Sequence, residues 1–452
     1  MTHRNRSRDS SRRYLIDWIV MTVLSLCLLF PARAHALQPL DDFLRQAAQR
    51  NFDNREARAM AIQRVHEASQ AWARLLPSVT VKGDYIRNQY LGDAFIPTGE
   101  PGISGILPTR HVIMTPIDQW DATFQATLSL VDVAAWDNVR AGAANREAQQ
   151  ARVAATALEV QRTVARTYYQ AIGASAVARA ARRTLAAAED NARYIGLREH
   201  AGLASDLDLK RALAEVERDR QAIEDADYST LTLRRSLEVL TGLTPEGDAD
   251  KDAPTIAADD LSAETPLEEW SKGLEELPSV RAATFDQRAA HLTAAAARAA
   301  LYPTLSTQFT ERATNAFGFG QSPYYAFEVL ATWNLDFASH KAALAQAAAA
   351  EASVVRHNRS LTTAAQTLFN DWDNVRTQIA KVRAARTSLE ASRLALSVAR
   401  DRYGAGKATL LDVVQAERDA FSAEVTEIQG EADLASARAS LRLSAGHPLV
   451  SR

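Results

Sequence analysis

This chain is short of cysteine, of methionine and of any surplus of one charge. Cys27 is its single thiol among 452 residues, and it has four methionines. With one thiol there is no intrachain disulfide, so stability must come from packing or from assembly. Lys and Arg number 52 against 55 Asp and Glu, a formal net charge of −3. That balance, with no basic patch interleaved with aromatics, gives no reason to expect nucleic acid as a partner. Catalytic signatures are missing too: there is no G-x-x-x-x-G-K-[ST], no H-E-x-x-H, no G-x-S-x-G and no paired metal-ligand spacing. The nine histidines are scattered, and His291, His340 and His357 fall on predicted helices without a partner at ligand spacing. No enzyme activity, metal or cofactor is expected.

Apolar runs are scarce as well, and the clearest lies near the N-terminus. Met1 to Arg13 is polar and arginine-rich, Ile19 to Phe30 is apolar, and Ala34-His35-Ala36 offers a small-residue cleavage site before Leu37. That is the layout of a secretory signal peptide over residues 1–36, with an apolar stretch too short to span a bilayer comfortably. Ser11-Arg12-Arg13-Tyr14-Leu15-Ile16 resembles a twin-arginine signal, although a generic basic n-region accounts for it. Leu26 precedes Cys27 where a lipoprotein signal wants a small residue, so acylation is not expected. The leader carries a net +4, and its removal takes −3 to −7 for an exported chain without cysteine.

Proline is absent between Pro116 and Pro245 and between Pro323 and Pro448. Both intervals are rich in Ala, Leu, Glu, Gln and Arg, strong helix formers. A helix from about Ala134 to His200 would be roughly 100 Å long at 1.5 Å per residue. The alanines, dense from Ala342 to Ala352, let neighbouring helices approach closely.

What the chain does have is a duplication. Leu75-Leu76-Pro77-Ser78-Val79-Thr80 recurs as Leu301-Tyr302-Pro303-Thr304-Leu305-Ser306. Gly202-Leu203-Ala204-Ser205-Asp206-Leu207-Asp208 recurs as Gly406-Lys407-Ala408-Thr409-Leu410-Leu411-Asp412. Each copy reads helix, strand pair, long helix, glycine turn, helix. The mature chain, 37–452, is thus one unit of two repeats: about 37–243, a linker of about 244–277, and about 278–446.

The strands alternate with period two. In Trp120 to Leu130 one face carries Trp120, Ala122, Phe124, Ala126, Leu128 and Leu130, the other Asp121, Thr123, Gln125, Thr127 and Ser129. Tyr325 to Leu335 alternates likewise, with Phe327, Val329 and Trp333 on the apolar side. Val79 to Tyr85 and Leu305 to Phe309 are the partners. Segments of about ten residues with one apolar face and aromatic ends suit a transmembrane β-barrel. Lipid-facing positions are then Trp120, Phe124, Leu128, Phe327, Val329 and Trp333. Trp120, Trp136 and Trp333 lie where interfacial anchoring is expected. Trp72, Trp270 and Trp372 are expected simply to pack.

Four strands fall short of the usual minimum of eight, and an open strand edge in lipid leaves backbone groups unsatisfied at several kcal/mol each. The barrel must be shared, by two chains with eight strands or three with twelve. The strand-connecting loops differ. The Leu-x-Pro motifs lie 226 positions apart (Pro77 to Pro303) and the glycine turns 204 (Gly202 to Gly406), so the first loop, Gln89 to Asp118, is longer by about 22 residues. Both loops are expected outside the cell.

The arrangement resembles the TolC-like outer membrane efflux protein family. The local signature is Tyr403-Gly404-Ala405-Gly406-Lys407-Ala408-Thr409-Leu410-Leu411-Asp412-Val413-Val414-Gln415-Ala416-Glu417, with Gly202 to Ala212 as its counterpart. The resemblance implies a mainly α fold with a transmembrane β-barrel, a homotrimer sharing twelve strands, and an α-helical tunnel through the periplasm below the outer membrane lipid. It implies a passive exit duct working with a periplasmic adaptor and an inner-membrane transporter, for small-molecule efflux or for type I protein secretion. Gly202 and Gly406 would turn the chain at the periplasmic tip. Asp412 would form an acidic ring at the constriction, with Tyr403 and Asp208 in the gate network. Three converging copies of Asp412 would repel one another and attract cations. The chain departs from the family pattern at Gln415, where a second ring aspartate would stand, and at Ala408, where a gate arginine would be. Lys407 is adjacent to that missing arginine.

Ordinary helix capping accounts for the same aspartates, since each follows a glycine turn three positions after Ser205 or Thr409. A different class, a periplasmic helical scaffold without a channel, accounts for the helices alone.

Overall fold

The computed structural model describes residues 37–97, 99, 109–246, 261–262, 264–316, 318, 320–334 and 336–450. The expected leader, 1–36, and Leu335 lie outside the described residues. Helices α1 (Leu40–Arg50) and α2 (Phe52–Ala73) open the chain. Asn51 between them is an N-cap, its side-chain oxygen accepting from the N–H groups of Asp53 and Asn54. Strand β1 (Ser78–Arg87) follows, then β2 (Gly92–Pro97), β3 (Thr109–Thr115) and β4 (Asp118–Val131).

Helix α3 (Val133–His200) begins one residue before the expected start and is 68 residues long. Asp132 launches it, its Oδ1 accepting from the N–H of Ala135 at 2.9 Å. Helix α4 (Asp206–Thr241) ends at Gly242, whose positive φ of 68° completes a left-handed cap. Among its described residues the linker holds a short helix, α5 (Leu267–Trp270), and one 3₁₀ turn, Leu274–Glu276. The second copy runs α6 (Pro278–Ala299), β5 (Thr304–Thr314), β6 (Tyr324–Thr332), α7 (Phe337–Gly404) and α8 (Leu410–Ser444). Helix α7 is also 68 residues long and is also launched by an aspartate, Asp336, which accepts from the N–H of Ser339 at 2.6 Å.

The strands join across the two copies. Their order is β1-β4-β5-β6, every neighbour antiparallel, so β4 of the first copy pairs with β5 of the second. Local alternation reveals faces but not which distant strand is a neighbour, and this pairing was not legible in the sequence. The long loop, expected outside the cell and read without strands of its own, contains a second sheet, the β2–β3 hairpin. His111 there meets Asp93 at 2.6 Å and stacks on Phe95 at 4.7 Å between ring centroids. No helix among the described residues is long and apolar enough to cross a membrane.

By contacts the chain divides into two compact units that cut across the repeats. One takes the described residues within Met1–Gln46, Val164–Ser262 and Thr377–Ala437; the other takes those within Ala47–Thr163, Ala263–Arg376 and Arg438–Arg452. The second unit contains both sheets. Its helical core is largely alanine, with Ala141, Ala144, Ala148, Ala289, Ala294, Ala296, Ala343 and Ala350 buried among Val280, Leu368 and Val375. Backbones come close there: a side chain at Gly142 would meet the Cα of Ala68 at 3.4 Å.

The first unit follows the same logic around larger residues: Phe43, Tyr168, Ile172, Leu237, Val382, Leu389 and Leu434. Burial pushes the Tyr168 hydroxyl up to about 12. Salt bridges tie the helices of this unit together, including Arg182 to Asp227, Arg386 to Glu431 and Arg400 to Glu417. A Cβ at Gly173 on α3 would stand 3.0 Å from the Cβ of Ala432 on α8. Gly173→Val is therefore expected to overpack this contact and destabilise the protein by about 1–3 kcal/mol. A lowered thermal midpoint in the purified protein checks this.

Candidate functional site

The two glycine turns are built alike. At Gly202 the φ angle is +72° and at Gly406 it is +67°, the left-handed region that only glycine enters without strain. Each closes its helix with the same pair of bonds. Leu203 N–H donates to Arg198 carbonyl at 2.7 Å and Gly202 N–H to Glu199 at 2.8 Å. In the second copy Lys407 N–H donates to Arg402 at 2.8 Å and Gly406 N–H to Tyr403 at 3.0 Å. These are Schellman caps, which satisfy carbonyls that a helix end otherwise strands.

The next helix starts three residues on. Ser205 is the N-cap of α4, its Oγ accepting from the N–H of Asp208 at 3.1 Å and donating to Asp208 Oδ2 at 2.7 Å. Thr409 does the same for α8. Its Oγ1 accepts from the N–H of Asp412 at 3.3 Å, and its N–H and hydroxyl each donate to Asp412 Oδ2 at 2.8 Å. Both aspartates therefore close capping boxes. Asp412 nonetheless lies at the surface. The Thr409 N–H and then its hydroxyl hold the Asp412 carboxyl below the usual carboxylate range. Its charge thus persists into mildly acidic conditions.

The charge of Asp208 reaches Tyr403, while each aspartate sits on its own cap. Tyr403 packs on an apolar cluster drawn from both copies: Ala188, Ala192 and Ile195 of α3, Ala212 and Val216 of α4, and Leu410 and Val414 of α8. Burial, first of all, raises the Tyr403 hydroxyl. Arg198 opposes that shift and the charge of Asp208 adds to it. The cation on Tyr403 is Arg198, 5.4 Å from the ring centroid. Neither Lys407 nor the missing arginine at position 408 supplies it. Sequence reading passed over Arg198, although a signal existed: Arg198 and Arg402 stand four positions before the glycine in their respective copies.

Two turns further from the glycine turns a charge network centred on a buried carboxylate crosses between the copies. Glu215 of α4, with 7% of its side chain exposed, takes both Nε (2.9 Å) and Nη2 (2.6 Å) of Arg418 on α8, and also Arg218 at 2.5 Å. Asp219 lies one turn beyond Glu215 on the same helix, and it too is buried. Burial, together with the charges of Glu215 and of Glu417 on α8, pushes its pKa up to about 6.

In the sheet, register places the predicted apolar residues on one face. Trp120 lies opposite Tyr85, Phe124 opposite Val81 and Glu311, Leu128 opposite Thr307, Phe327 opposite Phe309 and Val329 opposite Thr307. Phe124, Phe309 and Tyr325 form an aromatic run, with centroids 6.4 and 6.2 Å apart. Trp333 follows the end of β6, its indole donating to the Leu301 carbonyl at 3.0 Å. Glu311 is the one carboxylate interrupting this run. The opposite face carries Lys82, Asp84, Gln125, Gln308 and Glu328, with Asp121 accepting two bonds from Arg312 at 3.0 and 2.7 Å. Among the described residues no cluster of His, Cys, Asp and Glu has metal-binding geometry.

Comparison with known proteins agrees with this geometry. Residues 43–243 and 270–447 match the family described as "Outer membrane efflux protein". Solved structures with the same fold include the outer-membrane channel OprN (TM-score 0.74, 20% identity, covering 90% of this chain and 89% of that one). Others are the outer membrane protein VceC of Vibrio cholerae (TM-score 0.73, 17% identity, 91% and 97%) and the open state of the MtrE outer membrane channel of Neisseria gonorrhoeae (TM-score 0.71, 21% identity, 92% and 90%). No curated protein sequence matches the chain. The chain belongs to the outer membrane efflux protein family. It is accordingly a non-enzymatic outer membrane channel of tripartite efflux, with a mainly helical TolC-like fold and a periplasmic helical domain. Channels of this family function as trimers in tripartite pumps.

The raised Asp219 gives a signed expectation. The folded chain binds the Asp219 proton more tightly than the unfolded chain does, so this residue's contribution to stability falls as pH rises from about 4 through about 6 and is level above that. Asp219→Asn removes this component. The gap in thermal midpoint between wild type and Asp219→Asn should therefore widen from pH 5 to pH 7.5, with the variant the more stable at the higher pH.

Proposed function

We propose that three copies of this chain close a twelve-stranded barrel and that Asp412 lines the constriction of the resulting duct. The observation that carries the barrel reading is the four-stranded sheet with one apolar and one polar face, whose outer strands β1 and β6 each pair on one side only among the described residues. Paired head to tail around an axis, such sheets leave no open edge in lipid. The apolar face with Trp120, Phe124, Leu128, Phe327, Val329 and Trp333 then meets lipid, and the face with Lys82, Asp121 and Arg312 lines the lumen.

The constriction reading rests on the surface position of Asp412 and its low-lying pKa, together with family membership. Three carboxylates near one axis attract cations, and multivalent cations most strongly. Gln415 takes the second ring position without a charge, leaving a single acidic ring. In this reading Asp208 and Tyr403 belong to the gate, and Gly202 and Gly406 are the turns that set the helices back on themselves. The duct is passive. Its proposed partners are a periplasmic adaptor and an inner-membrane transporter that supplies both energy and substrate choice. The cargo proposed is small molecules, because the chain is an efflux-family member; secreted protein is the alternative cargo.

The test is single-channel recording of the purified mature protein in planar bilayers, with its oligomeric state measured alongside. A trimer with low, cation-selective conductance is expected. Asp412→Ala should reduce cation preference and weaken block by multivalent cations, and unchanged selectivity would leave Asp412 a cap and nothing more. For the barrel, Phe124→Lys should impair insertion by about 2–4 kcal/mol per chain at mid-membrane depth and less near the rim, and Phe327→Glu should impair it by a smaller amount. Outer membrane trimer yield reads this out, and undiminished yield would reverse the assigned faces.

A further inference from the structure

Arg198 occupies the last turn of α3, where a cation is favoured by the helix dipole. Its guanidinium carbon lies 5.7 Å from the ring centroid of Tyr194, one turn back on the same helix, and its Nη1 donates to the Tyr194 hydroxyl at 3.5 Å. On its other side it lies 5.4 Å from the ring centroid of Tyr403. Tyr403 belongs to α7, in the other copy. The arginine is thus held by its own helix and presents itself to the ring of the opposite hairpin. Tyr403 is backed by the buried Ile195, Val216, Leu410 and Val414 cluster, which keeps water from one side of the contact. A cation over an aromatic face gains in strength as it is desolvated.

We propose that Arg198 is the latch of the gate: through the ring face of Tyr403 it fastens the α3–α4 hairpin to the α7–α8 hairpin at their glycine turns. The inference deepens the constriction reading and rests on it. Its chemistry differs from a charged latch inside the glycine turn itself. Lys407, the cation in that turn, is fully at the surface, and position 408 is alanine. It differs also from a latch through the Tyr403 hydroxyl, because the ring and not the oxygen is what Arg198 covers. Arg198 is a positioning residue. It holds helices and has no contact with cargo.

A contact of this kind shifts an equilibrium by about 3-fold to 30-fold, and three copies act together in the trimer. Bilayer recordings of the full-length trimer separate the possibilities, with heat resistance of the trimer as the control for folding. Arg198→Ala and Tyr403→Leu should each raise open probability by about that factor per chain, and the double variant should gain little beyond either single one. Tyr403→Phe, which keeps the ring, should stay closed like wild type, and Arg198→Lys should fall between. If Tyr403→Phe opens the channel as much as Tyr403→Leu while Arg198→Ala does not, the hydroxyl is the latch and the inference is overturned. If Arg198→Ala leaves the open probability unchanged while Asp412→Ala alters cation preference, the latch fails and the constriction stands. If neither changes anything, both fall together.

Discussion

Everything in this protein follows from the requirement that a strand in lipid have both of its edges paired. The four strands of the β1-β4-β5-β6 sheet satisfy that only through other copies, because β1 and β6 each offer one unused edge among the described residues. Assembly is therefore a condition of the membrane fold and not an addition to it. The same requirement accounts for what the chain lacks. A barrel built from alternating strands needs no long apolar helix, and a structure fixed by strand pairing and helix packing needs no disulfide.

Each half of the duplication is launched into its long helix by an aspartate that follows a strand, Asp132 immediately after β4 and Asp336 four residues after the end of β6. That cap converts the period-two pattern of the sheet into 68 residues of helix, and glycine with positive φ then reverses the chain. The two copies are bound to each other at both levels. In the sheet β4 pairs with β5, and in the helical unit Glu215 grips Arg418. Glu215 is buried while Arg418 stays largely exposed, so desolvation of the carboxylate offsets much of the attraction, yet removing its cationic partner is costly. Glu215 with Arg418 therefore fixes which helices are neighbours more than it strengthens the fold. Alanine and glycine at the contacts let helices approach closely, and this leaves packing there sensitive to a single added methyl group.

The elements governed by local chemistry were legible in the sequence. Helix α3 was read to within one residue because no proline interrupts it and strong helix formers fill it. Strand β4 was read from eleven alternating residues and extends three further, two at its start and one at its end. The caps at Asp208 and Asp412 were visible as Ser or Thr followed three positions later by Asp. What depends on distant partners was not visible. The β2–β3 hairpin hid within a stretch whose glycines and prolines read as loop, and the antiparallel ladder, with His111 on Asp93 and Phe95, defines it in the structure. The β4–β5 pairing joins residues nearly two hundred positions apart. Arg198 recurs as Arg402 in the second copy, but that repeat does not show which aromatic it meets, and the Tyr403 ring comes from another helix.

Capping and gating are compatible uses of one carboxylate. A cap fixes one oxygen against the N–H and hydroxyl of the residue before the helix, and with it the direction of the carboxylate. Those bonds favour the charged form, so Asp412 stays ionised at lower pH than a free aspartate. A pore charge needs both properties, a defined position and persistent ionisation, and a capping box supplies them without burying the group. The two copies then diverge in surroundings, not in local chemistry. Asp412 keeps its cap at the surface, whereas Asp208, on an equivalent cap, is half-buried and close enough to Tyr403 to raise its hydroxyl. Duplication thus delivered two equivalent caps, and different neighbours leave the Asp412 carboxylate at the surface and the half-buried Asp208 where its charge raises the Tyr403 hydroxyl.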